Sequence, residues 1–145
     1  MLDPETNNGN EGLREVFDLS IPADKESIAG LADAADAALA RCEIPEQKRL
    51  EIALALHEAL ANAIVHGCKN DPSKQVHCRC SCDPNQRVLV VVTDPGPGFP
   101  IDALPDPKAE NNIYSDHGRG VYLIREMMDD LEFAGGGNQI RMWKS

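Results

Sequence analysis

The chain's clearest helical pattern ends in the stretch Glu58-Ala59-Leu60-Ala61-Asn62-Ala63-Ile64-Val65-His66-Gly67. Upstream of it, Pro45 stands where a helix can begin without losing a needed N–H, and Gly67 is a residue type that commonly ends one. Apolar side chains recur between them at helical spacing. This stripe consists of Ala53, Leu56, Leu60 and Ile64. The pattern predicts an amphipathic helix over residues 45–65 with one face in the core.

The segments before this helix predict a strand and another helix. Residues 14–21 are typical of a short strand, and an Ala-rich stretch from about Pro22 to Cys42 has apolar residues at helical spacing. Residues 1–12 are rich in Asn, Gly, Asp and Glu and lack periodicity, which predicts a disordered N-terminal segment. Residues 13–145 have the length of one domain, and a hydrophobic content of 42% is enough for a single core.

The segments after it complete a layered fold. Residues 75–82 and 87–93 predict two strands that pair as an antiparallel hairpin, and residues 119–129 resume helical spacing. Residues 131–134 and 139–143 predict a final hairpin across three glycines. Helices and strands in this order segregate into two layers, so we expect an α+β sandwich with three helices on one face of a largely antiparallel sheet.

The net charge of −10 limits the classes of partner. No basic run is present to hold a phosphate backbone, so we expect no nucleic acid, and the same charge repels an anionic membrane. A basic protein partner and a merely solvated acidic surface both fit it. The N-terminus is acidic and polar, and no apolar stretch is long enough to span a bilayer, which together predict a cytoplasmic protein.

Three cysteines alternate along the predicted strand at residues 75–82. Cys78, Cys80 and Cys82 would all lie on one face of it, where free cysteine behaves as a small hydrophobe. A zinc site with Cys68 or His77 is conceivable, but paired zinc ligands are usually separated by two to four residues. We therefore favour buried strand cysteines over a metal site.

Glu58, Asn62 and His66 follow one another at four-residue intervals on the central helix. This spacing puts a carboxylate, an amide and an imidazole on one helix face. Such spacing arises easily on a solvated surface, so the pattern alone does not decide between a site and an ordinary exposed face.

A second motif begins where the strand at residues 87–93 ends. Asp94 is followed by Gly96 and Gly98, which describes a backbone shaped for close approach by a ligand. The carboxylate of Asp94 can accept hydrogen bonds at that point. A simple Gly-Pro turn with a local capping Asp is the alternative interpretation.

A third motif, His117-Gly118-Arg119-Gly120, leads into the helix predicted at residues 119–129 and overlaps its first two residues. The free N–H groups of a first helical turn, the helix dipole and the Arg119 guanidinium could converge there on an anion such as a phosphate. A flexible hinge before the helix, with Arg119 in solvent, fits the same residues.

In this order and with these separations, the three motifs resemble the N-box and the two glycine boxes of the GHKL (Bergerat-fold) ATPase and kinase superfamily. More narrowly, residues 13–144 are similar to the bacterial anti-sigma-factor serine/threonine protein kinases. The runs at residues 58–67, 94–99 and 118–125 carry this resemblance. It implies a histidine kinase-like ATPase fold, with the helices on one face of a mixed, largely antiparallel sheet.

The resemblance implies ATP and Mg²⁺ as cofactors and a role for each motif. Asn62 would present its side-chain oxygen to Mg²⁺, and Glu58 would be the general base. Asp94 would accept a hydrogen bond from the adenine amino group. The other residues implied in nucleotide binding are Gly96, Gly98, His117, Gly118, Arg119 and Gly120, with Lys108 a weaker candidate in a lid over residues 100–117.

One position departs from the family pattern. Relatives commonly have a threonine in the last strand that bonds adenine through water, whereas this chain has Asn138-Gln139-Ile140, and we align Gln139 with that threonine. The adenine contact from this strand therefore stays open.

The resemblance implies an anti-sigma factor that binds ATP and Mg²⁺, sequesters a sigma factor and phosphorylates a serine of a STAS-type antagonist protein. A homodimer is expected on the same ground. Two alternatives remain at this stage. One is a non-catalytic binding module gated by ATP, and the other is a detached ATPase domain of the histidine-kinase kind.

Overall fold

The computed structural model describes residues 12–97 and 116–145, and for residues 116–119 the helical backbone only. Its strands and helices are long enough to define two layers. The strands are β1 (Arg14–Pro22), β2 (Gln75–Cys82), β3 (Val88–Thr93), β4 (Asp130–Ala134) and β5 (Gln139–Lys144). The helices are α1 (Ile28–Arg41), α2 (Glu46–Asn62) and α3 (Asp116–Met127).

The five strands form one sheet in the order β1-β2-β3-β5-β4. The two predicted hairpins, β2 with β3 and β4 with β5, are confirmed, and β5 enters between β3 and β4. All four pairings among the described strands are antiparallel. The expected sheet was largely antiparallel but mixed, and the described strands contain no parallel pair. The three helices pack on one face of it, which confirms the α+β sandwich.

The alternation of side chains along the strands separates a core face from an open face. On β2, Val76, Cys78, Cys80 and Cys82 are buried in the core against the helices, which confirms the prediction of buried strand cysteines. His77 lies on the other face, where it pairs with Asp18 of β1. Across residues 12–97 and 116–145, no group of three or more potential ligands among His, Cys, Asp and Glu could hold a metal ion.

The first helix begins at the first residue of its apolar pattern, Ile28, and later than the expected opening of the stretch near Pro22. The side chain of Asp24 accepts hydrogen bonds from the amide and the hydroxyl of Ser27, at 2.9 and 2.7 Å. These bonds hold residues 25–27 in a 3₁₀ turn, so α1 starts at Ile28. Within the described residues, no helix is both long and apolar enough to cross a membrane.

The other two helices end and begin differently from the prediction. After Asn62 the central helix widens into a π-helical turn, Ala63–Gly67, closed by the bond from Cys68 N to Ala63 O at 2.9 Å. Helix α3 begins at Asp116, so the motif expected to lead into it forms its first turns instead.

Candidate functional site

The end of α2 and the first turns of α3 meet at Gly120. This residue is buried, and a Cβ on it would lie 2.9 Å from Asn62 Nδ2 and 3.3 Å from Glu58 Oε2. Two of the three sequence motifs are therefore in contact. Only glycine at this position leaves the amide of Asn62 and the carboxylate of Glu58 undisturbed. Both side chains are partly exposed and so accessible to a ligand.

The end of β3 meets the end of the π turn at Gly67. A Cβ on Gly67 would overlap the carboxyl group of Asp94, lying 2.5 Å from its Oδ1. A Cβ on Gly96 would overlap the carbonyl oxygen of Gly67 and lie 2.8 Å from the same Oδ1. The carboxylate therefore packs directly on the backbone of the helix end, which joins the Asp94 motif to the helix of Glu58 and Asn62.

Both the side chain and the backbone of Asp94 form hydrogen bonds. Its Oδ1 accepts the Gly96 amide at 2.8 Å, and its N–H donates to Asn138 O at 2.9 Å. Asn138 Nδ2 returns a bond to Asp94 O at 3.2 Å. These bonds continue the β3–β5 ladder by one more pair beyond Thr93 and Gln139.

Gln139, which we align with the threonine of the family pattern, is hydrogen-bonded to neighbouring side chains of the sheet. Gln139 Nε2 donates to Thr93 Oγ1 at 3.0 Å, and its Oε1 accepts from Arg141 Nε at 3.0 Å. Thr93 and Gln139 alternate with core residues of their strands, so both side chains lie on the open face of the sheet. Asn138, the residue immediately before β5, forms the hydrogen bonds with Asp94.

Burial sets the electrostatics of this end of the site. Desolvation raises the pKa of Asp94 above its usual value, and the hydrogen bond from the Gly96 amide lowers it in part. The neighbouring thiol of Cys68 is fully buried, and desolvation followed by the negative charge of Asp94 raises its pKa. Asp94 is therefore a carboxylate held in a partly desolvated place, which is common at binding sites.

Some of the predicted site residues are not described at the side-chain level. Gly98, Lys108 and most of the expected lid lie outside the described residues. His117, Gly118 and Arg119 lie in the first turn of α3, with only their backbone described. A helix start presents amides without intrahelical acceptors, and the binding of a phosphate by these residues stays a prediction.

Two residues at the site were missed by sequence reasoning. The sequence indicates Gly67 as a helix end and as the last residue of the run 58–67, without a role at the site, and Asn138 only as part of a departure from a family pattern. The direct succession of Gly67 to the Glu58–His66 run was the available signal for the first. The contact of Asn138 with Asp94 depends on strand pairing, so no local pattern reveals it.

The described residues fit a magnesium nucleotide. The Asn62 amide oxygen is a hard oxygen donor of the kind that Mg²⁺ prefers, and the Glu58 carboxylate lies beside it against the backbone of Gly120. Asp94, immediately after β3, is an acceptor suited to an amino group. The site thus has an acceptor at one end, and oxygen donors beside free helix amides at the other.

A histidine kinase domain from the blue-light-activated histidine kinase of Erythrobacter litoralis EL346 is similar in structure, with a TM-score of 0.54 and 23% sequence identity. The match covers 86% of this chain and 61% of that one, so the chain spans about three fifths of that structure. No curated protein matches the sequence significantly.

A family profile is more specific than the fold likeness. The profile of the histidine kinase-like ATPase domain matches residues 21–144, which is most of the chain and includes all three motifs. The resemblance of the motifs to the GHKL superfamily is thereby confirmed. The chain belongs to the histidine kinase-like ATPase domain family, a GHKL-type ATP-binding domain.

Proposed function

We propose that the chain is an ATP- and Mg²⁺-dependent protein-serine kinase that acts as an anti-sigma factor. In this proposal it sequesters a sigma factor, phosphorylates a serine of a STAS-type antagonist and works as a homodimer. The contact of Gly120 with Glu58 and Asn62 is the observation that carries the catalytic part. It brings a carboxylate, an amide and a helix start together, which is what phosphoryl transfer between oxygens requires.

Each of these residues has a defined task in the proposed reaction. Mg²⁺, when bound, would neutralise charge on the phosphates. Asn62 would offer its amide oxygen to that ion, and the backbone amides at the start of α3 would donate to the phosphate oxygens. Glu58 accepts the proton of the attacking serine hydroxyl as its oxygen bonds to the γ-phosphorus and the bond to ADP breaks.

The choice of protein serine as acceptor rests on the sequence motifs. The likeness to a histidine kinase domain concerns the fold and does not select the acceptor of the phosphate. The runs at residues 58–67, 94–99 and 118–125 favour the anti-sigma kinases. The net charge of −10 also fits a partner with a basic surface.

Phosphate transfer to a STAS-domain protein from the same genome tests the proposal. With γ-labelled ATP, the wild-type chain should label that protein on serine, and Glu58→Gln should reduce the rate about 100- to 10,000-fold. The affinity for ATP should change little because the amide keeps the shape of the side chain. Glu46→Gln, on the same helix but exposed and twelve residues away, is the matched control and should label at the wild-type rate.

The test also separates the catalytic proposal from a non-catalytic, ATP-gated binding module. A module of that kind would capture its partner in an ATP-dependent manner without labelling it, and Glu58→Gln would then behave as the wild type does. That pair of results would contradict the kinase assignment while leaving ATP binding intact.

A further inference from the structure

Asp94 is fixed from two sides, which leaves its carboxylate little freedom. On the sheet side, the reciprocal bonds with Asn138 hold its backbone in line with β3 and β5. On the helix side, its carboxyl group packs against the backbone of Gly67, so closely that a Cβ there would overlap it. The Gly96 amide at 2.8 Å then sets the orientation of the carboxylate plane.

The backbone conformation of Gly67 does not require glycine. Among the described residues, the glycines with positive φ are Gly12, Gly135 and Gly136, and Gly67 is not one of them. It lies in a π-helical turn with right-handed geometry, which alanine adopts readily. The reason for glycine at this position is therefore the space that Asp94 occupies and not the local turn.

We infer that Gly67 is a specificity-determining positioning residue, which sets the place of the Asp94 carboxylate and through it the preference for adenine. This inference rests on the proposed use of the site for ATP. Because the Asp94 backbone is held by Asn138, a methyl group at residue 67 forces the carboxylate itself to rotate or shift. The acceptor for the amino group of the base then leaves its place, whereas the phosphate end beside Asn62 and Gly120 is unaffected.

Binding of two nucleotides by Gly67→Ala tests this role. ITP carries a carbonyl where ATP carries the amino group, so it cannot donate to Asp94 from that position. Gly67→Ala should weaken ATP about 10- to 100-fold, the effect of losing one hydrogen bond to a charged group, and leave ITP nearly unchanged. Isothermal titration calorimetry with Mg²⁺ measures both affinities. Gly30→Ala, where a Cβ meets nothing within 4 Å, is the matched glycine control and should bind as the wild type does.

A second variant distinguishes the positioning role from a general loss of structure. In an Asp94→Ala background the carboxylate is absent, so adding Gly67→Ala should cost no further ATP affinity. The same double variant should recover any thermal stability that Gly67→Ala loses, since the overlap is gone. Equal losses of ATP affinity in both backgrounds would overturn the inference, as would a double variant that stays unfolded.

The possible failures are distinguishable. If the wild-type chain does not bind ATP, the proposed function is wrong and this inference falls with it. If the wild type prefers ATP to ITP and Gly67→Ala keeps the same preference, the ATP site stands and the role of Gly67 is wrong. A folded Gly67→Ala that loses ATP and ITP equally also contradicts the role, because the damage would then reach the phosphate end.

Discussion

Asp94 lies partly buried at the end of β3, with one carboxylate oxygen bonded to the Gly96 amide. Desolvation is the larger influence and raises its pKa in the folded state. The folded state therefore binds this proton more tightly than the unfolded state does. As the pH rises from the unfolded-state pKa through the raised folded-state pKa, this residue removes stability, and it continues to do so at neutral pH.

The variant Asp94→Asn should consequently separate stability from binding. At pH 7 its melting temperature should exceed that of the wild type, because the neutral amide carries no desolvated charge, and its Oδ1 can still accept the Gly96 amide. The difference should shrink as the pH falls toward the ordinary range for aspartate. ATP affinity should fall about 10- to 100-fold, since an NH₂ group would face the adenine amino group.

Calorimetric melting from pH 3 to 8, with an ATP titration at pH 7, measures both effects. Asp36→Asn serves as the control for loss of a bonded carboxylate, because Asp36 of α1 pairs with Arg49 of α2 at 2.9 Å. A lower melting temperature for Asp94→Asn at pH 7, with no pH dependence of the difference, would show that burial does not penalise the Asp94 charge.

Among the secondary-structure elements, α2 and α3 form the contact on which the proposed catalysis depends. Glycine inside a helix costs about 1 kcal/mol relative to alanine, so local propensity disfavours a helix across Gly118 and Gly120. The structure includes them in α3 because Gly120 packs against Asn62 and Glu58, where a side chain has no room. Tertiary packing thus overrides local propensity at this helix start.

Gly120→Ala should therefore improve the helix and impair the site. The overlap is with the far end of the Asn62 side chain, at 2.9 Å, which can turn away without moving the backbone. We expect an unchanged or slightly higher melting temperature, together with a rise of about 3- to 10-fold in the Mg²⁺ concentration for half-maximal nucleotide binding, as from a weakened ligand bond of about 1 kcal/mol. A Mg²⁺ titration at fixed ATP measures this, and an unchanged midpoint would contradict the contact.

Local patterns in the sequence predict the elements better than their pairing. The apolar stripe of α2 and the two hairpins need only neighbouring residues, so they could be predicted within a few positions. The pairing of β3 with β5 joins segments separated by a helix and a strand, and it brings Asn138 beside Asp94. The packing of Gly67 on Asp94 depends on this tertiary arrangement, so the sequence indicated both residues without indicating their contact.

On the scale of the whole molecule, the five cysteines differ in their burial in the core. Cys68, Cys78, Cys80 and Cys82 are buried, whereas Cys42 at the end of α1 is partly exposed. Burial raises the pKa of Cys68 and, to about 11, that of Cys82, while the hydrogen bond with Cys80, followed by desolvation, raises that of Cys78. At pH 8 the thiols of Cys68, Cys78 and Cys82 are therefore both buried and held in the less reactive protonated form.

Titration with a thiol reagent such as DTNB should therefore resolve two classes in the native protein. Cys42 should react promptly, and Cys78 and Cys80 at least about 1,000-fold more slowly. These two thiols react only when the core opens, and a free energy of unfolding of a few kcal/mol makes opening rare. All five should react at once in denaturant, and Cys42→Ser should remove the fast phase. A chelator should not change the slow rate if burial alone protects the strand cysteines. Acceleration of the slow reaction by EDTA would instead indicate a zinc site. Three promptly reacting thiols in the native state would contradict the burial of the cysteines of β2.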